Sequence, residues 1–84
     1  MKKKVLIIDD DLTICRQIKY ALQSITTDVY YACSVSDGIK RFMEQEYCLV
    51  IMEVVLSESD GQELIKIMRR AKTTPILVLL RVLA

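Results

Sequence analysis

Continuous apolar runs constrain this chain most. Residues 5–8, after Lys4, and 48–52 are solid apolar stretches, the first closed by acids, which is the pattern of strands buried on both faces. Residues 29–32 add a shorter strand of β-branched and aromatic residues, and residues 76–80 a fourth after Pro75. Between them the period changes to that of helices. After Leu12, residues Ile14, Ile18, Ala21, Leu22 and Ile25 share one face, with Arg16, Gln17, Lys19 and Gln23 opposite and Asp11 placed as a cap. Ser36 is the expected cap of a second helix carried by Ile39, Phe42, Met43 and Tyr47. A polar loop is expected over residues 57–61. The third helix follows, with Leu64, Ile65, Ile67, Met68 and Ala71 inward and Arg69, Arg70 and Lys72 at its end, where cations suit the helix dipole.

Strand and helix therefore alternate three times before a last strand, which predicts a parallel α/β sheet. In such sheets the functional crevice lies beyond the carboxyl ends of the strands. Asp9, Asp10, Glu53, Leu80 and Arg81 occupy those ends.

Charge and composition exclude several functions. Twelve basic and eleven acidic residues leave a net charge of +1, so this segment is not expected to grip nucleic acid. Lys2, Lys3 and Lys4 form the one basic run and read as a solubilising lead-in. No apolar run approaches the roughly 20 residues of a membrane helix, and the run after those lysines is too short for a signal peptide. A cytoplasmic location is therefore expected, with Cys15, Cys33 and Cys48 as three small buried residues and not disulfides. The chain has no histidine, which removes His-based triads and most zinc sites. Its only glycines, Gly38 and Gly61, make no phosphate-binding loop, so nucleotide hydrolysis is not expected.

Asp9, Asp10 and Asp11 follow the first strand without a gap, and Glu53 ends the third. Neighbouring strands would bring Asp9, Asp10 and Glu53 into one cleft, where they repel and raise one another's pKa values. A hard divalent cation such as Mg²⁺ would relieve this. Solvated acids at strand ends, with Asp11 capping a helix, account for the same residues equally well.

The run Val5-Leu6-Ile7-Ile8-Asp9-Asp10-Asp11 resembles the opening of response-regulator receiver domains. Leu49-Val50-Ile51-Met52-Glu53-Val54-Val55-Leu56, with Asp60-Gly61 after three further residues, is similar to the central motif of that family. Pro75-Ile76-Leu77-Val78-Leu79 matches its fourth strand. The resemblance covers the whole chain and implies a flavodoxin-like, doubly wound parallel sheet. It also implies two-component signalling, in which an aspartate takes a phosphoryl group from a sensor histidine kinase and Mg²⁺ neutralises the transferred charge. Asp9 and Asp10 match the metal pair, the backbone carbonyl of Val55 a further metal ligand, and Glu53 the phosphoacceptor.

Three departures shape the functional expectation. Glu53 stands where the family has aspartate, and Leu80 where it has the switch Ser or Thr. The sequence stops at Ala84, before the family's last helix–strand–helix portion, so residues 1–84 are expected to be a partial receiver domain. The expected function is that of a pseudo-receiver, not phosphorylated in the usual way, acting through protein contacts. A glutamate there imitating a phosphorylated aspartate, a plain polar residue at a strand end, a working Mg²⁺-dependent phosphoacceptor and a structural dimerisation fragment are the alternatives. The fourth strand, left as an edge with Arg81 as its one charge, is expected to drive self-association.

Overall fold

The computed structural model describes residues 2–55 and 60–81, with the backbone alone at Val55, Asp60, Leu80 and Arg81. The elements are β1 (Lys3–Ile8), α1 (Leu12–Leu22), β2 (Thr27–Ala32), α2 (Val35–Glu44), β3 (Leu49–Val55), α3 (Asp60–Ala71) and β4 (Ile76–Arg81). All four strands are parallel in one sheet of order β2-β1-β3-β4. The two most continuous apolar runs, β1 and β3, take the two central positions, as burial on both faces requires.

Strand alternation splits the core into two layers. Leu6, Ile8, Val50, Met52 and Val54 face α2 and α3, where Phe42, Leu64 and Met68 close over them. Val5, Ile7, Val29 and Ile51 face the other way, onto Cys15 of α1. Small residues set the close helix approaches. A Cβ on Gly38 would lie 2.9 Å from Ile8 Cδ1, so α2 sits directly on the end of β1. A Cβ on Gly61 would lie 3.0 Å from Val54 Cγ2, which brings the start of α3 against β3.

Several local expectations need correction. The cap of α2 is Ser34, whose Oγ accepts from the Asp37 N–H at 3.2 Å, and Ser36 lies inside the helix. Helix α1 ends at Leu22, and Ile25, beyond it, is 89% exposed. Helix α2 ends at Glu44, and the buried Tyr47 belongs to the approach to β3, with its ring edge-on to Tyr30 at 6.0 Å. Met43 and Ile67 are exposed on their helices. Cys15 is buried as expected, but Cys33 and Cys48 are exposed. Of the polar loop expected over 57–61, residues 57–59 lie outside the described residues, while Asp60 and Gly61 open α3.

Lys72 has a role that periodicity alone does not suggest. It follows α3 but serves α2: its Nζ donates to the carbonyls of Phe42 at 2.7 Å and Gln45 at 3.0 Å. The ammonium also lies 4.9 Å from the centre of the Phe42 ring and 3.3 Å from Glu46 Oε1. It thereby supplies donors to carbonyls that a helix C-terminus leaves unpaired. We expect Lys72→Met to lower stability by about 1.5–3 kcal/mol in urea denaturation, the range for hydrogen bonds to a charged group. Lys66→Met, which removes only the exposed pair with Glu63, should cost well under about 1 kcal/mol.

Candidate functional site: an acidic cleft at the strand ends

The sheet register assembles the site. Ile8 pairs with Met52, so the next residues on the two central strands, Asp9 and Glu53, emerge side by side. Carboxylate oxygens of Asp9, Asp10 and Glu53 all lie within 4.8 Å of one another. Asp9 is buried, Glu53 is half-buried and Asp10 is exposed, so the group grades from the protein interior to solvent. Glu53 is not quite at a strand end as expected, since β3 continues to Val55.

Every polar part of Asp9 is held. Its N–H donates to Ala32 O at 3.1 Å, which extends the β1–β2 ladder by one residue. Its carbonyl accepts from the Cys15 thiol at 3.5 Å. Its carboxylate accepts from the Asp11 N–H at 2.9 Å. Asp11 in turn caps α1, with Oδ1 accepting from the N–H groups of Thr13 at 2.9 Å and Ile14 at 3.3 Å. The capping role expected of Asp11 is thus present, and Asp9, two residues before it, carries its carboxylate into the acidic group.

Burial pushes the Asp9 carboxyl up to about 6, against the lowering effect of the Asp11 N–H, and its neighbour Glu53 adds to the rise. Burial pushes the Cys15 thiol up to about 12, helped by the adjoining Cys33 thiol and by the charges of Asp9 and Asp11. A carboxyl whose ionisation is opposed by burial and by neighbouring acids is the electrostatic condition that a divalent cation relieves. Hard oxygen donors at this spacing fit Mg²⁺, which typically takes one or two carboxylates and keeps several waters. Asp9, Asp10 and Glu53 would hold it; when bound, Mg²⁺ supplies positive charge to neutralise phosphoryl oxygens.

The cleft around these acids is also lined by Ser34 and Val35 at the start of α2 and by Val54 and Gly61. None of these four was among the expected site residues. Ser34 was legible as the first residue of a Ser-x-x-Asp cap, and Gly61 as a close-approach glycine, but neither signal points to a cleft. Leu80 pairs with Val54, one position beyond Glu53, so its backbone stands at the expected end of β4 while its side chain lies outside the described residues. Val55 is the last residue of β3, opposite Arg81.

Comparison with known proteins decides the family. Residues 5–81 match the model of the response regulator receiver domain. The chain belongs to that family. Receiver domains are signalling modules that interact with histidine kinases and other signalling proteins, and typically bind Mg²⁺ through acidic residues. This receiver sequence is similar to the transcriptional regulatory protein SrrA of Staphylococcus aureus, at 29% identity over 79 residues, which is 94% of this chain and 33% of that protein. It thus spans about a third of the length of the curated relatives it matches. Among solved structures, a mutant of the MaeR response regulator bound to sulfate is similar at TM-score 0.73 and 26% identity, over 100% of this chain and 70% of that one. MaeR bound to beryllium trifluoride is similar in fold, at TM-score 0.69 and 24% identity, over 98% of this chain and 68% of that one. The flavodoxin-like arrangement inferred from the sequence is therefore the fold of this receiver domain. Among the described residues, no helix is long and apolar enough to cross a membrane.

Proposed function

We propose that this chain is a degenerate receiver module of two-component signal transduction, in which Glu53 occupies the phosphoacceptor position and usual phosphorylation does not occur. The observation that carries the reading is the meeting of Asp9, Asp10 and Glu53 within 4.8 Å at the ends of the central strands. Asp9 and Asp10 form the Mg²⁺ pair, with the Val55 carbonyl as a backbone ligand. Glu53 carries one methylene more than aspartate, which places its carboxylate roughly where an incoming phosphoryl group would sit. A misplacement of about 1 Å can cost on the order of 100-fold in rate. Leu80, at the switch position, has no group to bond a phosphate. The MaeR mutant to which the chain is similar is bound to sulfate, a tetrahedral oxyanion like phosphate, which supports a reading of the chain within phosphoryl-transfer signalling.

The module then works by contacts with a sensor histidine kinase or another cytoplasmic signalling protein. Residues 1–84 act as part of a receiver domain, and any DNA binding belongs elsewhere. Self-association through β4 is the second element of the proposal. Leu77 and Leu79, 50% and 40% exposed, lie on this edge strand, and exposed apolar edges recruit other strands. Sedimentation of the 84-residue chain at micromolar concentration should show dimers or larger species; a clean monomer would refute this element.

The test of the central claim is intact mass after incubation with acetyl phosphate and Mg²⁺, on this chain and on Glu53→Asp. The expected result is a phosphoryl adduct on the variant alone. An adduct on the unaltered chain would make Glu53 or a neighbouring aspartate a live acceptor and overturn the reading. No adduct on either would mean that more than Glu53 silences the site.

A further inference from the structure

Two of the three cysteines are brought together beside the acidic cleft. Cys15 lies on the inner face of α1, fully buried, with its thiol donating to the carbonyl of Asp9. Cys33 follows β2, and its position on the sheet is fixed by alternation. Val29 and Tyr31 pack into the layer beneath α1, and the ladder runs on through the bond from the Asp9 N–H to Ala32 O. The next residue on that face is Cys33. That face is the one that packs on Cys15, and the Cys33 thiol is near enough to help raise the Cys15 pKa. The Cys15 thiol thus reaches Asp9 through its carbonyl, and Cys33 directly follows Ala32, the partner of the Asp9 amide. Cys33 is exposed, while Cys15 is shielded from solvent.

We infer that Cys15 and Cys33 form a reversible oxidation site, which a hydroperoxide converts to an intramolecular disulfide. The exposed Cys33 meets the oxidant first. Its thiolate sulfur attacks the peroxide; an S–O bond forms, the O–O bond breaks, and the leaving alkoxide or hydroxide takes up a proton as alcohol or water. The Cys15 sulfur then attacks the Cys33 sulfenic acid. The S–S bond forms as the S–O bond breaks, and the departing hydroxide leaves as water with the Cys15 proton. In total two thiols are oxidised, one hydroperoxide is reduced to an alcohol or water, and one water is released. The bond ties the segment before α2, including the Ser34 cap, to α1. It does not depend on metal binding or on the role of Glu53.

The experiment is treatment of the folded chain with hydrogen peroxide, followed by intact mass and peptide mapping, and by the same treatment in urea. We expect loss of two hydrogens per chain, a Cys15–Cys33 linked peptide, reversal by dithiothreitol, and faster linkage in the folded chain than in urea. Cys33→Ser should abolish the link, whereas Cys48→Ser should leave it intact. Because Cys33 is exposed, Cys33→Ser tests the idea without disturbing the core. The inference is overturned if Cys33 proceeds to sulfinic acid while Cys15 stays a thiol, if links form only between chains, or if linkage is no faster in the folded state.

Discussion

Phe42→Ala is expected to lower the stability of this receiver by about 3–5 kcal/mol, the usual range for truncating a buried phenylalanine. Phe42 is among the largest fully buried side chains and closes the layer formed by Leu6, Ile8, Val50 and Met52. Its ring also lies beneath the Lys72 ammonium, so the truncation removes that contact as well. A chain of 84 residues has on the order of 4–12 kcal/mol in total at typical values per residue, so the loss is a large share of the whole. The variant should unfold at much lower urea concentration, with α2 signals broadened before the transition. Phe42→Leu keeps most of the apolar volume and should cost less than half as much. A loss below about 1 kcal/mol for Phe42→Ala would show that α2 does not pack on the sheet in solution.

Asp9→Asn should do the opposite to the metal-free chain. The Asp9 carboxyl has its pKa raised from 3.8 to about 6, chiefly by burial and also by Glu53. The native state therefore binds this proton more tightly than the unfolded chain does. Its contribution to stability is fully present below about pH 4 and is lost as pH rises through about 6. At pH 7 the ionised group costs on the order of 2–3 kcal/mol, at about 1.4 kcal/mol for each unit of pKa. An asparagine oxygen can still accept from the Asp11 N–H, while the charge is gone. In chelator at pH 7 the variant should thus be more stable than the parent, and the difference should shrink as pH falls towards 4. Added Mg²⁺ should raise the melting temperature of the parent and leave the variant unmoved, more clearly at pH 7.5 than at pH 5. A variant that is less stable than the parent and still responds to Mg²⁺ would show that Asp9 is a structural acid and not a ligand. The pattern belongs to a general class, in which a functional site is held at some cost to the fold.

The sequence exposed the sheet because β1 and β3 must be apolar on both faces, and no helix of their length reads that way. From strand order and the position of Asp9 and Glu53 after their runs, the acidic cluster followed almost without further information. Legibility failed where two local signals competed or where partners are distant in the chain. Ser34 and Ser36 are both good caps, and the Asp37 N–H bonds to Ser34, three residues before it. Tyr47 falls on the helical period of Phe42 and Met43, yet the helix has already ended, and its burial comes from Tyr30 on another strand. Cys15 and Cys33 have the same composition-level reading but opposite exposure, because one lies inside a helix and the other just past a strand. The bonds from Lys72 to Phe42 and Gln45 span 30 and 27 residues, beyond the reach of any periodic argument.

That last contact has a consequence for how the molecule breathes. Helices α2 and α3 share one side of the sheet and are joined by the Lys72 ammonium, whereas among the described residues α1 is the helix that covers the other side. Proteins open in cooperative units whose members exchange their amide hydrogens together. The amides of α2 and α3 should therefore exchange with deuterium as one unit, and α1 as another, with β1 and β3 slowest between them. Asp9 sits at the seam of the two units. Opening on either side would reach it, so the acidic cleft would register events on both faces of the sheet.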